Sequence, residues 1–245
     1  MKKMIKKLLS KLIYGHKSDS DSFIAYLRNH GCNIGEGCKF YSPRTTTVDI
    51  RTDWISIGKN TKITSGVAIL AHDYSSSVLV HTHNEILLAG GKPTTIGENC
   101  FIGVNAVIMP GKHIGNNCII GSGAVVATDI PDDVVVAGNP AKVIMTIDEF
   151  YQKRKKAYLH DAKRNVRHYY EKHNRYPSSK ELAGFALLYM ERSEENYEKY
   201  FSNYLIADND AEDIKRCFFE TQPVFESYDA FIKMCMSDNE NIECI

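Results

Sequence analysis

The chain has 245 residues, 43% hydrophobic and 24% charged, which suits one large or two modest packed bodies and argues against global disorder. Lys plus Arg and Asp plus Glu each total 30, so there is no overall basic field and nucleic acid is not expected as a partner. The seven cysteines are odd in number, form no CxxC pair and follow no secretory leader, so they read as reduced thiols of a cytoplasmic protein.

The first segment, residues 1–31, opens with MKKMIKKLLSKLIYGHK. Lys2, Lys3, Lys6, Lys7 and Lys11 alternate with Met4, Ile5, Leu8, Leu9, Leu12 and Ile13 at helical spacing. An amphipathic basic helix of this kind suits an anionic membrane surface, so residues 1–14 are a candidate peripheral contact at the inner membrane face. The same pattern also fits a helix packed on its own body or on a neighbouring subunit. No stretch reaches the ~20 apolar residues needed to span a bilayer.

From residue 32 to 147 the chain follows a six-residue aliphatic period: Ile57, Ile63 and Ile69, then Ile96, Ile102, Ile108, Ile114, Ile120 and Val126. Helical periods do not produce this spacing. Each unit predicts one short strand and a turn, with the aliphatic residue pointing inward and three units closing a coil. Successive coils then stack as parallel strands roughly 4.8 Å apart, with Ile96 beneath Ile114 and Ile102 beneath Ile120. Gly58, Gly97, Gly103, Gly115 and Gly121 follow inward residues, where corners need unusual φ or close backbone approach. Cys38, Cys100 and Cys118 share one position of their units and read as buried packing.

Ile34 and Phe40 begin an earlier coil. Residues 52–56 interrupt the period and carry the only tryptophan, Trp54. Residues 75–95 break it again, and an excursion of that length from a tightly wound solenoid points to function. It begins three residues after His72.

Residues 148–245 turn helical. Asp148 to about Tyr170 is dense in Lys, Arg and Tyr. Pro177, Ser178 and Ser179 mark a turn and N-cap, and Lys180–Glu191 carries Leu182, Phe185, Leu188 and Tyr189 on one face. Further helices fit 194–205, 209–220 and 227–236. With no metal-ligand spacing and no nucleotide loop, this is an all-α extension for packing, oligomer contacts or partner docking.

Three stretches, ITSGVAILAHDYS at 63–75, TIGENCFIGVNAVIMPGKHIGNNCIIGSGAVVATDIP at 95–131 and VVVAGNPAKVI at 134–144, resemble the hexapeptide-repeat acyltransferases. That family includes galactoside, maltose and xenobiotic acetyltransferases and many capsular or exopolysaccharide O-acetyltransferases. The resemblance implies a mainly β protein: a left-handed parallel β-helix at 32–147, preceded by the N-terminal amphipathic helix and followed by the α-helical extension. It also implies acetyl-CoA as co-substrate, no required metal, and a homotrimer with active sites between subunits. The acceptor would be a hydroxyl of a sugar, of a surface polysaccharide or of its precursor.

The family's catalytic histidine lies at the end of a coil before an extended loop, and His72 in A-H-D-Y holds that position. The chemistry agrees, since a sugar hydroxyl is a poor nucleophile and a neutral imidazole can take its proton. Glu85 is a candidate to fix the imidazole tautomer from the loop, a task that a backbone carbonyl does equally well. The resemblance implies acyl-CoA contacts at Val104, Ser122, Ala127 and Thr128 on the coil corners. It puts Lys142 at the nucleotide phosphates, while Met145 stands where relatives often have a second basic residue. Asp49, Arg51 and Trp54 precede the catalytic coil where acceptor often binds, and Tyr74, His81 and His83 are further acceptor candidates.

Three other readings compete. Transfer to nitrogen of an amino sugar or nucleotide-sugar differs only in the acceptor. A metal hydratase of the γ-carbonic-anhydrase type would need three histidines, such as His72, His81 and His83, to meet between subunits. A non-catalytic trimeric scaffold would leave the intact A-H-D-Y and N-P-A-K stretches unexplained.

Overall fold

In the computed structural model, which describes residues 9–50, 53–87, 90–203 and 210–237, the six-residue units become short strands joined by tight turns. They wind a left-handed β-helix with three faces. One face stacks Asn33–Ile34, Ile55–Ile57, Thr94–Ile96 and His113–Ile114. The second stacks Lys39–Phe40, Lys62–Ile63, Phe101–Ile102, Ile119–Ile120 and Val134–Ala137, and the third Thr47–Val48, Ala68–Ile69, Val107–Ile108 and Val125–Val126. Every pair among these strands is parallel.

The register aligns the inward residues into ladders. Ile34, Ile57, Ile96 and Ile114 form one, Phe40, Ile63, Ile102, Ile120 and Val136 the second, and Val48, Ile69, Ile108 and Val126 the third. Ile63, Ile69, Ile102, Ile108, Ile114 and Ile120 are wholly shielded, and burying each such side chain contributes roughly 1.5–3 kcal/mol. Cys38, Cys100 and Cys118 are buried beside them. Burial holds the Cys38 thiol above its usual range, as expected of a packing residue.

The corner glycines serve close approach. A Cβ on Gly97 would lie 2.6 Å from the carbonyl of Gly115 in the coil above. Positive φ falls instead two places further on, at Asn60, Asn99, Asn105 and Asn117 and at Gly37, Gly66, Gly111 and Gly123, the residue types that tolerate it. The asparagine side chains also tie coil to coil: Asn99 Nδ2 donates to Asn117 Oδ1 at 2.9 Å, and Asn117 Nδ2 to Asp133 Oδ1 at 2.8 Å.

Both ends of the stack are covered. Helix α1 (Ser20–Asn29), N-capped by Asp19 accepting from Ser22 N–H, adds Phe23, Ile24 and Leu27 to the β-helix core, and Phe23 meets Phe40 edge-on at 5.1 Å. At the other end the A-G-N-P-A-K turn sends Lys142–Thr146 back antiparallel along Val134–Ala137, rather than onward as another coil. Helix and hairpin thus blunt edges that would otherwise pair with further strands.

The chain divides into two compact units, Met1–Phe150 and Tyr151–Ile245, so α1 shares a body with the β-helix. In the second unit Leu159, Val166, Leu188, Tyr197, Phe201, Phe218 and Phe231 form an aromatic-rich core. The long helix Ile147–His173, which supplies Leu159 and Val166 to that core, follows the sequence pattern. The helix expected over 180–191 breaks at Ala183, which takes a positive φ beside Gly184, and continues as a 3₁₀ segment, Ala183–Leu188. Among the described residues no helix is long and apolar enough to cross a membrane.

Candidate active site

The third face carries the site. Val48 pairs with Ile69, and Asp49 N–H donates to Ile69 C=O at 3.0 Å, which brings Asp49 alongside the chain leading to His72. Asp49 is only 6% exposed. Its Oδ2 accepts the Ala71 N–H at 3.2 Å and stands in direct contact with His72 Nδ1. The carboxylate charge reaches Cys32 as well, whose thiol is raised first by burial and then by Asp49.

With Nδ1 donating to the carboxylate, Nε2 of the neutral ring is the unprotonated nitrogen. That atom is shielded and has no hydrogen-bond partner among the described residues. Tyr74 stands edge-on to the imidazole, with ring centroids 5.0 Å apart and planes at 79°, and is 61% exposed. Between them Asp73 folds into a local turn. Its carboxylate accepts the hydroxyl and N–H of Ser75, bonds that hold it below the usual carboxylate range.

The carboxylate on the imidazole is therefore Asp49 and not Glu85. Glu85 is exposed, just beyond Asn84, where left-handed backbone ends helix α2 (Ser77–His83). Asp49, expected with the acceptor, sits behind the imidazole instead because strand register carries it there. His81 and His83 lie exposed on α2, which buries none of its residues, and His83 Nδ1 meets the Thr82 hydroxyl at 2.7 Å. Among the described residues no group of three or more His, Cys, Asp or Glu is arranged to hold a metal ion.

Trp54 is half-buried against the core rather than an open platform, and its six-membered ring lies against Gly91. Arg51 lies outside the described residues. Val104, Ser122, Ala127 and Thr128 are exposed on the coil corners, and Lys142 is exposed on the closing hairpin. Val104 C=O accepts Gly123 N–H at 2.7 Å, while the N–H groups of Val104 and Ser122 donate to no acceptor among the described residues.

Residues 93–128 match the family described as bacterial transferase hexapeptide (six repeats). The chain is also 39% identical over 149 residues to Protein CapG of Staphylococcus aureus, spanning 61% of this chain and 83% of that protein. The chain belongs to the hexapeptide-repeat acyltransferases. Galactoside O-acetyltransferase of Escherichia coli is 39% identical over 126 residues, covering 49% of this chain and 58% of that enzyme. A solved maltose O-acetyltransferase from Clostridium difficile is 26% identical, covering 58% of this chain and 84% of that one, with a TM-score of 0.38.

A buried carboxylate that takes the Ala71 N–H and meets the imidazole has a measurable stability role in this acyltransferase. Asp49→Ala orphans the Ala71 N–H and the imidazole, and is expected to lower the unfolding free energy by about 1–3 kcal/mol in chemical denaturation. Glu85→Ala, at an exposed position, is expected to change it by less than ~0.5 kcal/mol.

Proposed function

We propose that the chain is an acetyl-CoA-dependent O-acetyltransferase acting on a hydroxyl of a sugar, of a surface polysaccharide or of its precursor, with His72 as general base. The observation that carries this reading is the bare Nε2 of His72, backed by Asp49 on Nδ1. Nε2 takes the hydroxyl proton as the acceptor oxygen attacks the thioester carbonyl carbon. The tetrahedral intermediate expels the CoA thiolate by breaking the C–S bond, and the imidazolium returns its proton to that sulfur. The products are an acetyl ester and CoA. Asp49 holds the tautomer that can accept a proton and stabilises the imidazolium between the two steps.

The open N–H groups of Val104 and Ser122 suit the amide carbonyls of pantetheine, with Ala127 and Thr128 continuing that edge. Lys142 supplies a point charge for the nucleotide phosphates. In a homotrimer these groups would face an acyl-CoA groove between subunits. Tyr74, with His81 and His83 on the excursion, would contact the acceptor, and the galactoside acceptor in the name of the Escherichia coli relative favours a carbohydrate.

His72→Ala is expected to lose at least ~100-fold in kcat, measured as thiol release from acetyl-CoA against galactosides, other sugars, amino sugars and nucleotide-sugars. Equal rates for the two proteins would remove His72 from the mechanism, and transfer confined to amino groups would replace oxygen by nitrogen as the acceptor atom.

A cytoplasmic location at the membrane face is part of the proposal. Leu12 is 84% and Ile13 68% exposed in the helical stretch 9–14, beside exposed Lys11, and residues 1–8, where the basic helix is expected to begin, lie outside the described residues. The protein is expected to float with anionic vesicles and not with neutral ones, and absence from both fractions would discard the membrane contact.

A further inference from the structure

The residue before His72 is tethered on both sides. Ala71 N–H donates to the Asp49 carboxylate at 3.2 Å, and Ala71 C=O accepts the N–H of Lys92 at 2.7 Å, where the excursion returns to the β-helix. Ala71 is thus fixed between the preceding coil and the end of the loop, and the imidazole projects from the next residue.

The second tether depends on the absence of a side chain at residue 91. A Cβ built on Gly91 would stand 3.0 Å from the same Ala71 oxygen and 2.6 Å from Trp54 Cε3, and closer still to Cζ3. Neither neighbour yields cheaply. The oxygen belongs to backbone. The indole packs against the core, and the Trp54 carbonyl is fixed by Thr94 N–H at 2.8 Å. Thr94 is itself wholly buried. Its hydroxyl donates to Leu70 C=O at 2.6 Å and accepts Gly111 N–H at 2.9 Å.

We propose that Gly91 is a positioning residue for His72: its bare Cα lets the Trp54 indole and the Ala71 carbonyl close on the loop return, and so fixes the backbone that aims the imidazole. This rests on the reading of His72 as general base. A side chain at 91 displaces either the indole or the Ala71 carbonyl, and movement of that carbonyl turns the imidazole away from Asp49 and from the acceptor. Misplacement by about 1 Å at a reacting group costs on the order of 100-fold in rate. Binding of acetyl-CoA at the coil corners is untouched by such a shift.

The test measures thiol release from acetyl-CoA with a galactoside acceptor. Gly91→Ala is expected to lower kcat at least ~10-fold while KM for acetyl-CoA stays within about two-fold. Gly90→Ala, where an added Cβ meets nothing within 4 Å, should keep the wild-type rate. In the Trp54→Ala background, which removes the clashing ring, Gly91→Ala should cost little further, and in the His72→Ala background nothing. Wild-type kcat in Gly91→Ala, an equal loss with and without Trp54, or an equal loss in Gly90→Ala would overturn the proposal and leave the role of His72 standing. Wild-type activity in His72→Ala would overturn both.

Discussion

In-register stacking of parallel coils at a single strand spacing is the constraint on which the first unit depends. Each inward isoleucine is dry only because another lies directly above or below it, so a coil that slipped by one residue would turn its aliphatic set to water. The same register decides which polar groups meet. Asn99 and Asn117, 18 positions apart, bond at one corner, and Asp49 and His72, 23 positions apart, meet at another. Sequence distance thus matters less than place on the coil, and a terminal helix and a returning hairpin stop the stack where no further coil follows.

The Asp49–His72 contact shows how such a scaffold hosts chemistry. A buried carboxylate is costly unless its lone pairs are used. Here one backbone N–H and one imidazole N–H use them, and both come from the stretch Ala71–His72 that the coil delivers. The arrangement is modest in the resting state, when a negative carboxylate faces a neutral ring. With a protonated ring the same contact would be an ion pair, with the carboxylate almost wholly shielded and the imidazole partly so. The excursion is the scaffold's opposite, with a helix that buries none of its own residues and so leaves its side chains available to a ligand or a partner.

Much of this was legible in the sequence. The aliphatic period announced the strands, their parallel order and the vertical partners Ile96–Ile114 and Ile102–Ile120, because a β-helix maps period directly onto contact. The end of a coil followed by an excursion, where the resembled family keeps its histidine, drew attention to His72. What stayed hidden depended on the interruptions. The irregular stretch around Trp54 shifts the offset between the first two coils, so the partner of His72 could not be counted from an 18-residue repeat. Glu85 drew attention because it is near His72 in sequence, whereas Asp49 is near it in register. The close approach of the Trp54 ring to Gly91 was equally silent, since it follows from where one indole lies. Ala183 shows the same limit in the helical unit: a helical pattern does not announce a residue that takes positive φ.

Nitrogen-15 NMR of histidine-labelled protein reads directly which nitrogen of His72 carries the proton, with the His72 resonances assigned by their loss in His72→Gln. The neutral His72 ring should be protonated at Nδ1 and bare at Nε2, and Asp49→Asn should disturb that preference. A neutral ring protonated at Nε2 in the wild-type protein would contradict this, because the nitrogen proposed as the base would then have no lone pair to give.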